Sequence, residues 1–380
     1  MPSRKPSPRK PPHVPKWLSG LALAAAFAAA AWLERSSQTK PGGKSADDRG
    51  LSARSASQRA HVARSRETGR GRGATSPLQI PFKGWRDILW RTYAQVGRDR
   101  LLAVAAGVVF YGLLAIFPAI TALVSSYGLF ADPATISTHL AFLADLMPAG
   151  AFDIVQEQVA RIAGQGGGGL SVAFVLGLLI ALWSANAGMK AMMDALNVIY
   201  DEEEKRSFLT LNLVSLLLTL GGLLILLLAV ACVVVLPLAL SWIGLESSAA
   251  WLIAGLRWPA LLVVVTLALI VLYRFGPSRR PARWRWLIVG AVVATLIWLA
   301  ASALLSFYLS NFADYNATYG SLGAGIGLMM WLWISAIAIL LGAELNSEIE
   351  HQTARDSTVG CDRPLGRREA VMADTVGKAQ

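Results

Sequence analysis

A polar stripe in an otherwise apolar stretch holds the side chains with the clearest capacity for chemistry. Asn186, Lys190, Asp194, Asn197 and Asp201 follow one another at steps of four, four, three and four residues. On an α-helix this spacing places them within an arc of about 80°, and Lys190 can pair with Asp194. Ionisable groups in a membrane helix usually face a bundle interior or a water-filled cavity, so the stripe is a candidate substrate or proton path. The alternative is an interfacial helix end with a snorkelling lysine.

A second polar face follows from Glu344 and Glu348, which are four residues apart near the end of another apolar stretch. Arg274 ends a third such stretch and should lie at a similar depth. We therefore expect Lys190, Asp194, Arg274 and Glu344 to form a polar cluster, with the stripe asparagines beside it. The alternative is an ion-pair network that only fixes helix packing.

Metal and thiol chemistry find little support in the sequence. The four histidines (His13, His61, His139 and His351) are scattered. Of the two cysteines, Cys232 falls in an apolar run and Cys361 in a polar one. None of these residues has the close spacing of a metal site or a Cys/His pair. We predict no metal, no cofactor and no enzymatic activity.

The composition is that of a membrane protein. Hydrophobic residues make up 54% of the 380 positions and charged residues only 16%, against about 25% charged in soluble domains. From Leu101 to Ala131 no side chain is charged, a run longer than the roughly 20 residues that cross a bilayer. The sequence therefore predicts an all-α, polytopic integral membrane protein.

Three regions are predicted along the chain. Residues 1–84 form a basic low-complexity region with an extra hydrophobic segment at 17–33, which could span, anchor at the surface or act as a signal. The composition of its polar part, residues 34–84, predicts a disordered linker. Residues 85–352 form a membrane domain, and residues 353–380 a polar cytoplasmic tail. Six core spans are predicted, at residues 101–130, 170–198, 208–240, 249–273, 286–309 and 322–345. Short amphipathic patterns at 136–147 and 154–162 predict an interfacial hairpin.

The basic residues set the expected orientation. Of the 35 Lys and Arg, 27 fall on one side of the six-span arrangement, whereas the other side has only Arg161. The positive-inside rule then places both ends of the membrane domain in the cytoplasm, in a bacterial inner membrane. Five arginines between Arg274 and Arg285 belong to this side, where topology or contact with anionic headgroups accounts for them.

On the opposite side, Arg257 precedes Trp258 and Pro259, which predict a helix start at the interface and a snorkelling arginine. Arg257 could also meet Asp314 or a lipid phosphate, and Tyr315 adds an aromatic group beside Asp314. The glycines between 323 and 327 predict close helix packing.

Several short sequences resemble the YihY/virulence factor BrkB family. They are Ala105-Ala106-Gly107, Phe110-Tyr111, Phe117-Pro118, Leu182-Trp183-Ser184-Ala185-Asn186, Leu196-Asn197-Val198-Ile199-Tyr200-Asp201, Leu272-Tyr273-Arg274-Phe275-Gly276-Pro277, Tyr315-Asn316-Ala317-Thr318-Tyr319-Gly320-Ser321-Leu322 and Leu341-Gly342-Ala343-Glu344-Leu345-Asn346. The resemblance covers roughly residues 85–352. It implies a bacterial inner-membrane protein with about six spans, from a family whose biochemical function is unsettled and whose members have been labelled ribonuclease BN.

Three functions follow from these observations. The first is a transporter or permease for an anionic or amphipathic substrate, with a site near Lys190 and Arg274. The second is a structural or assembly protein of the cell envelope. The third, a membrane-bound ribonuclease, is least supported because no histidine pair or carboxylate cluster is spaced for phosphodiester chemistry. Membrane lipids are the expected partners and nucleic acid is not; a homo-oligomer is compatible with such a bundle.

Overall fold

The computed structural model describes residues 58–114, 167–230, 250–311 and 322–380, and helices dominate each range. They are α1 (58–65), α2 (Phe82–Arg98), α3 (Leu101–Leu114), α4 (Gly167–Ile199), α5 (Phe208–Val230), α6 (Ala250–Phe275), α7 (Trp284–Asn311), α8 (Leu322–Gln352) and α9 (Val371–Asp374). Within these ranges there is no β-strand. Residues Arg59–Gln380 form one unit, to which the description below applies. The predicted all-α class is confirmed.

Helices α3 to α8 overlap the six predicted spans, but the described part of α3 covers only residues 101–114 of the predicted 101–130, and that of α5 only 208–230 of 208–240, so the count of six stays a prediction. Four of them, α4, α5, α7 and α8, are long and apolar enough to cross a bilayer. The apolar stretches Leu101–Leu114 in α3 and Pro259–Phe275 in α6 are shorter. Large apolar side chains of α5 such as Leu209 and Leu217 are exposed. Lipid tails would cover such a surface in a membrane. The prediction of a polytopic membrane protein is therefore confirmed.

Helix α6 begins before its proline. It starts at Ala250, which puts Pro259 inside the helix. The predicted helix start at Trp258 and Pro259 is wrong, because the apolar residues before them continue the helix and membrane helices tolerate an internal proline. Arg257 belongs to this helix, but its side chain lies outside the described part. The same holds for all of segment 17–33, the predicted hairpin, Asp314 and Tyr315.

Helices α7 and α8 pack closely through two glycines. A Cβ added to Gly290 would collide with the carbonyl oxygen of Gly342, and one added to Gly342 would lie 2.5 Å from the carbonyl oxygen of Gly290. Asn346 of α8 bridges the same contact. Its Oδ1 accepts the Gly290 N–H at 2.8 Å, and its Nδ2 donates to the Leu287 carbonyl at 3.0 Å. Small residues allow this approach because they bring the two backbones within hydrogen-bonding reach.

The predicted packing glycines take little part in such contacts. A Cβ at Gly325 would meet nothing within 4 Å, and one at Gly327 would touch only Leu309, at 3.5 Å. For these two residues the prediction of close packing is wrong. The close approach lies nearer the polar end of α8, where Gly342 faces α7.

Residues 59–84 are ordered against the far end of the chain. The Arg72 guanidinium donates to the carbonyls of Gln352 at 3.2 Å and Gly377 at 2.7 Å. Ile80 is buried in a cluster with Trp286 and Ile349. The prediction of a disordered linker is wrong for these residues, because their arginines and backbone groups find tertiary partners that composition does not reveal.

Residues 353–380, the terminal segment, fold back over the end of the bundle against which residues 59–84 pack. This end is called the polar end below. The N–H of Ala354 donates to the Arg72 carbonyl at 2.8 Å, and that of Gly377 donates to the His351 carbonyl at 2.8 Å. Met372 and Val376 are buried. The terminal segment therefore forms one wall of the polar end together with α1, α2 and α8.

We predict that Gly290→Ala destabilises the protein by about 1–3 kcal/mol, because the added methyl group forces α7 and α8 apart. Thermal unfolding in detergent and abundance in the membrane measure the effect. Gly222→Ala is the matched control, since a Cβ there meets nothing within 4 Å. Equal stability of the two variants would show that the close contact is not required.

Candidate functional site

Two neighbouring features at the polar end form the candidate site. The first, named here the acidic cluster, consists of Asp99, Asp201, Glu344 and Glu348. The second, named the basic cavity, lies between α1, α2, α8 and the terminal segment and has a volume of about 330 Å³. Asp201 and Glu348 line the cavity as well, so the two features are continuous.

Glu344 is the innermost member of the acidic cluster. It lies in the apolar part of α8 and is fully buried. With the carboxyls of Glu344 and Asp99 both ionised, neither oxygen of Glu344 has a hydrogen-bond donor among the described residues, and the carboxyl of Asp99 lies within hydrogen-bonding reach. An ionised carboxylate without partners is strongly disfavoured in such surroundings. The position therefore calls for a proton, a cation or a polar group of a bound molecule.

Asp99, at the turn between α2 and α3, brings a second carboxyl close to Glu344. Burial and the repulsion of Asp201 and Glu348 raise the pKa of Asp99 to about 6, against the attraction of Arg98. Two ionised carboxylates cannot hydrogen-bond to each other, but one proton between them makes such a bond available. The turn thus places a carboxyl that titrates near neutral pH beside a buried one.

Arg91 of α2 fixes the border between the acidic cluster and the basic cavity. Its Nε donates to Glu348 Oε2 at 2.5 Å, and its Nη2 donates to Gln352 Oε1 at 2.8 Å. Its Nη1 reaches the Lys378 carbonyl at 3.0 Å. Arg91 and Glu348 form a buried ion pair, so their opposite charges neutralise each other. Glu344 receives no such cation.

The basic cavity collects cationic side chains from four parts of the chain. Its basic lining residues are His61, Arg64, Arg91, Arg98, His351 and Lys378. Burial lowers the pKa of His61, and the nearby Arg64 and His351 lower it further, against a hydrogen bond with the Val376 backbone. The cavity is therefore a region of positive potential next to the acidic cluster.

The structure separates the residues of the predicted polar cluster. Lys190 donates to Asn212 Oδ1 of α5 at 2.6 Å, while Asp194 is exposed. No hydrogen bond or ion pair joins any two of Lys190, Asp194, Arg274 and Glu344, all of which lie in described ranges. Lys190 instead links α4 to α5.

Within the stripe, the two asparagines differ. Asn186 keeps a buried Oδ1 without a partner among the described residues. Asn197 is fully used, since its Oδ1 accepts the Ser278 N–H at 2.7 Å and its Nδ2 donates to Glu204 at 3.1 Å. Asn186 thus keeps a free polar atom in the bundle, whereas Asn197 holds two loops together. Asp201 ends the stripe inside the candidate site.

Residues 274–285, named here the arginine loop, place several of their arginines against other parts of the protein. Arg274 donates to the Ala282 carbonyl and lies 4.4 Å from the ring centre of Trp284. Arg279 is buried and binds both oxygens of Glu350 at 2.7 Å. Headgroup contact as the reason for Arg279 is therefore wrong, because a partner carboxylate on α8 takes up its charge.

Asp99, Arg91 and His61 are functional candidates that the sequence reasoning missed. Arg91 had a visible signal, because Gly84, Asp87, Ile88 and Arg91 recur at helical spacing and form the buried face of α2. Asp99 and His61 had none, since each meets its partners from distant parts of the chain. In the described ranges no group of three His, Cys, Asp or Glu side chains is arranged to hold a metal ion.

Comparison with known proteins gives one family. Residues 92–364 match the family model described as virulence factor BrkB. No solved structure matches the chain.

Among similar proteins is one from Bacillus subtilis named ribonuclease-like protein YfkH, 33% identical over 64% of this chain and 88% of its own. Another is a UPF0761 membrane protein from Laribacter hongkongensis, 27% identical over 72% of this chain. A third, a UPF0761 membrane protein from Chlorobium luteolum, is 26% identical over 66% of this chain. The match spans only 63% and 57% of those two relatives.

We predict that Asp99→Asn changes how stability depends on pH. The folded pKa of Asp99, about 6, lies above the value of about 3.9 in an unfolded chain. The native carboxyl therefore adds stability when protonated, and this is lost as the pH rises through 6. At pH 7.5 the variant should be more stable than wild type, and at pH 4 the stabilities of the two should differ little. Melting temperatures in detergent at both values test this, with the exposed Glu203→Gln as control. An equal shift at both values would contradict the assignment.

Proposed function

The chain belongs to the virulence factor BrkB family, and from that premise we propose that it is a permease of the bacterial inner membrane for an anionic or amphipathic substrate. Both ends of the membrane domain would then be cytoplasmic, as the bias of basic residues indicates. The candidate site would form the cytoplasmic end of the path.

The observation that supports this proposal is the buried carboxyl of Glu344, which has no cationic partner in the described part of the chain. A buried polar group without a partner in a membrane helix is costly, and such groups mark substrate or ion paths. The chain provides partners for other buried carboxylates of α8, since Glu348 has Arg91 and Glu350 has Arg279. Its failure to do so at Glu344 supports a role in binding or proton transfer.

The path would continue from Glu344 in two directions. Toward the polar end, Asp99 and Asp201 lead to the basic cavity. Toward the bundle interior, Lys190 and then Asn186, one turn deeper in α4, follow, and Asn186 offers a buried carbonyl oxygen. In this arrangement, loss of a proton from Asp99 would change the electrostatic field at Glu344, which could couple proton movement to the substrate.

A structural or assembly role is the second candidate, and several sequence-predicted site residues favour it. Asn197 joins two loops, Lys190 joins two helices, and Arg274 caps the start of the arginine loop. Each of these side chains makes a hydrogen bond within the chain. On this reading the polar residues lock helices together and nothing is translocated.

A ribonuclease is the least supported candidate. The name of the Bacillus subtilis relative motivates it. It would require phosphodiester cleavage that remains with the highly purified protein and disappears on a point substitution.

We predict that Glu344→Gln lowers translocation by about tenfold, which corresponds to about 1.4 kcal/mol of lost interaction. The amide should also leave the fold intact or stabilise it, because it removes a buried ionisable group. The assay reconstitutes the protein in vesicles that contain fluorescent phosphatidylglycerol, phosphatidylcholine or a lysophospholipid. A membrane-impermeant quencher then reports movement across the bilayer.

Glu203→Gln is the control, since Glu203 is exposed and lies outside the acidic cluster. Wild-type vesicles that translocate no probe faster than protein-free vesicles would contradict the permease proposal and favour the structural role. Translocation that Glu344→Gln leaves unchanged would remove Glu344 from the path.

A further inference from the structure

The cations of the basic cavity are not balanced by its own carboxylates. Of the two acidic lining residues, Glu348 is already paired with Arg91. Within the described part of the chain, Arg64, Arg98 and Lys378 have no carboxylate within 4 Å. Asp201 is the one remaining acidic lining residue. Among the lining side chains, three cations therefore face one carboxylate.

These cations also keep unused hydrogen-bond donors. Arg64 Nη1 donates to the Val376 carbonyl at 3.1 Å, and Arg98 Nη1 donates to Gln95 Oε1 at 3.1 Å. Each guanidinium has five N–H donors in all. The unused ones suit an oxyanion, which two or more N–H groups can bind at once.

His61 adds a group whose charge can change. Its Nδ1 lies 3.0 Å from the Val376 nitrogen and 3.3 Å from the Val376 carbonyl oxygen, so it can accept from the N–H when unprotonated and donate to the carbonyl when protonated. Burial and the neighbouring cations disfavour a second proton. A bound anion would reverse that repulsion and favour the charged ring.

Size and access agree with a small anionic group. The volume of about 330 Å³ is ample for a group of this size. Arg98, Asp201 and Lys378 are exposed, so a ligand can enter from solvent.

We propose that the basic cavity binds a phosphate group, with Arg64, Arg98 and Lys378 as its cationic contacts and His61 beside them. The phosphate belongs either to a lipid headgroup at the membrane surface or to a free phosphate. Guanidinium groups favour this chemistry, because their planar fork matches two oxygens of a tetrahedral anion. The site does not depend on permease activity, since binding alone defines it.

The test is calorimetric titration of the full-length protein, in a neutral detergent, with inorganic phosphate at pH 7. We expect one saturable site that Arg64→Gln and Arg98→Gln each weaken by about tenfold. Arg66→Gln is the matched control, because Arg66 is exposed, lies two residues from Arg64 and does not line the cavity. It should change the affinity less than twofold. Arg98→Gln also guards against misfolding, since Arg98 is exposed and its side chain hydrogen-bonds, among the described residues, to the neighbouring Gln95.

A second titration distinguishes the two sources of phosphate. Dioctanoyl phosphatidic acid, below its micelle concentration, should bind more tightly than inorganic phosphate if the site serves a lipid, and equally well if it serves free phosphate. Either result supports the proposal when both arginine variants weaken binding. No saturable phosphate binding by folded wild type, up to about 10 mM, would overturn it. So would binding that neither arginine variant changes.

Discussion

The guanidinium of Arg91 is the interaction on which the polar end depends. It binds the side chains of Glu348 and Gln352 on α8 and a carbonyl of the terminal segment, so one side chain joins three parts of the chain. The ion pair is buried, and removing either partner would leave an uncompensated charge. Because Arg91 holds α2 against α8, it also sets the position of the turn at Asp99. Both the acidic cluster and the basic cavity follow from this one contact.

The three buried carboxylates of α8 differ in whether an arginine pairs with them. Glu348 and Glu350 are both buried, and each has an arginine within 2.7 Å. Glu350 also accepts a hydrogen bond from Ser357. Glu344, one turn before Glu348, is as deeply buried and has none of these contacts. The contrast lies within one helix, so the absence of a partner is a property of that position and not of α8 as a whole.

The short sequence 341–346, which carries part of the family resemblance, contains three different physical roles. Gly342 allows α8 to approach α7, and Asn346 bridges to the α7 backbone. Glu344 points away from these contacts to the surroundings of Asp99. The same six residues thus build a close helix contact and supply a buried carboxyl that has no cationic partner among the described residues.

The sequence by itself determined the membrane class, the all-α fold and the approximate spans, because long apolar runs and helical periodicity are local properties. It also singled out Glu344 and Asn186 as polar groups within apolar stretches. Only the tertiary structure decided their partners. Lys190 pairs with Asn212 rather than Asp194, and Arg279 with Glu350 rather than with lipid. Such pairings join residues that are far apart in sequence, and periodicity along one helix carries no information about which helix lies beside it. The order of residues 59–84 has the same origin, since Arg72 bonds to a terminal segment 305 residues away.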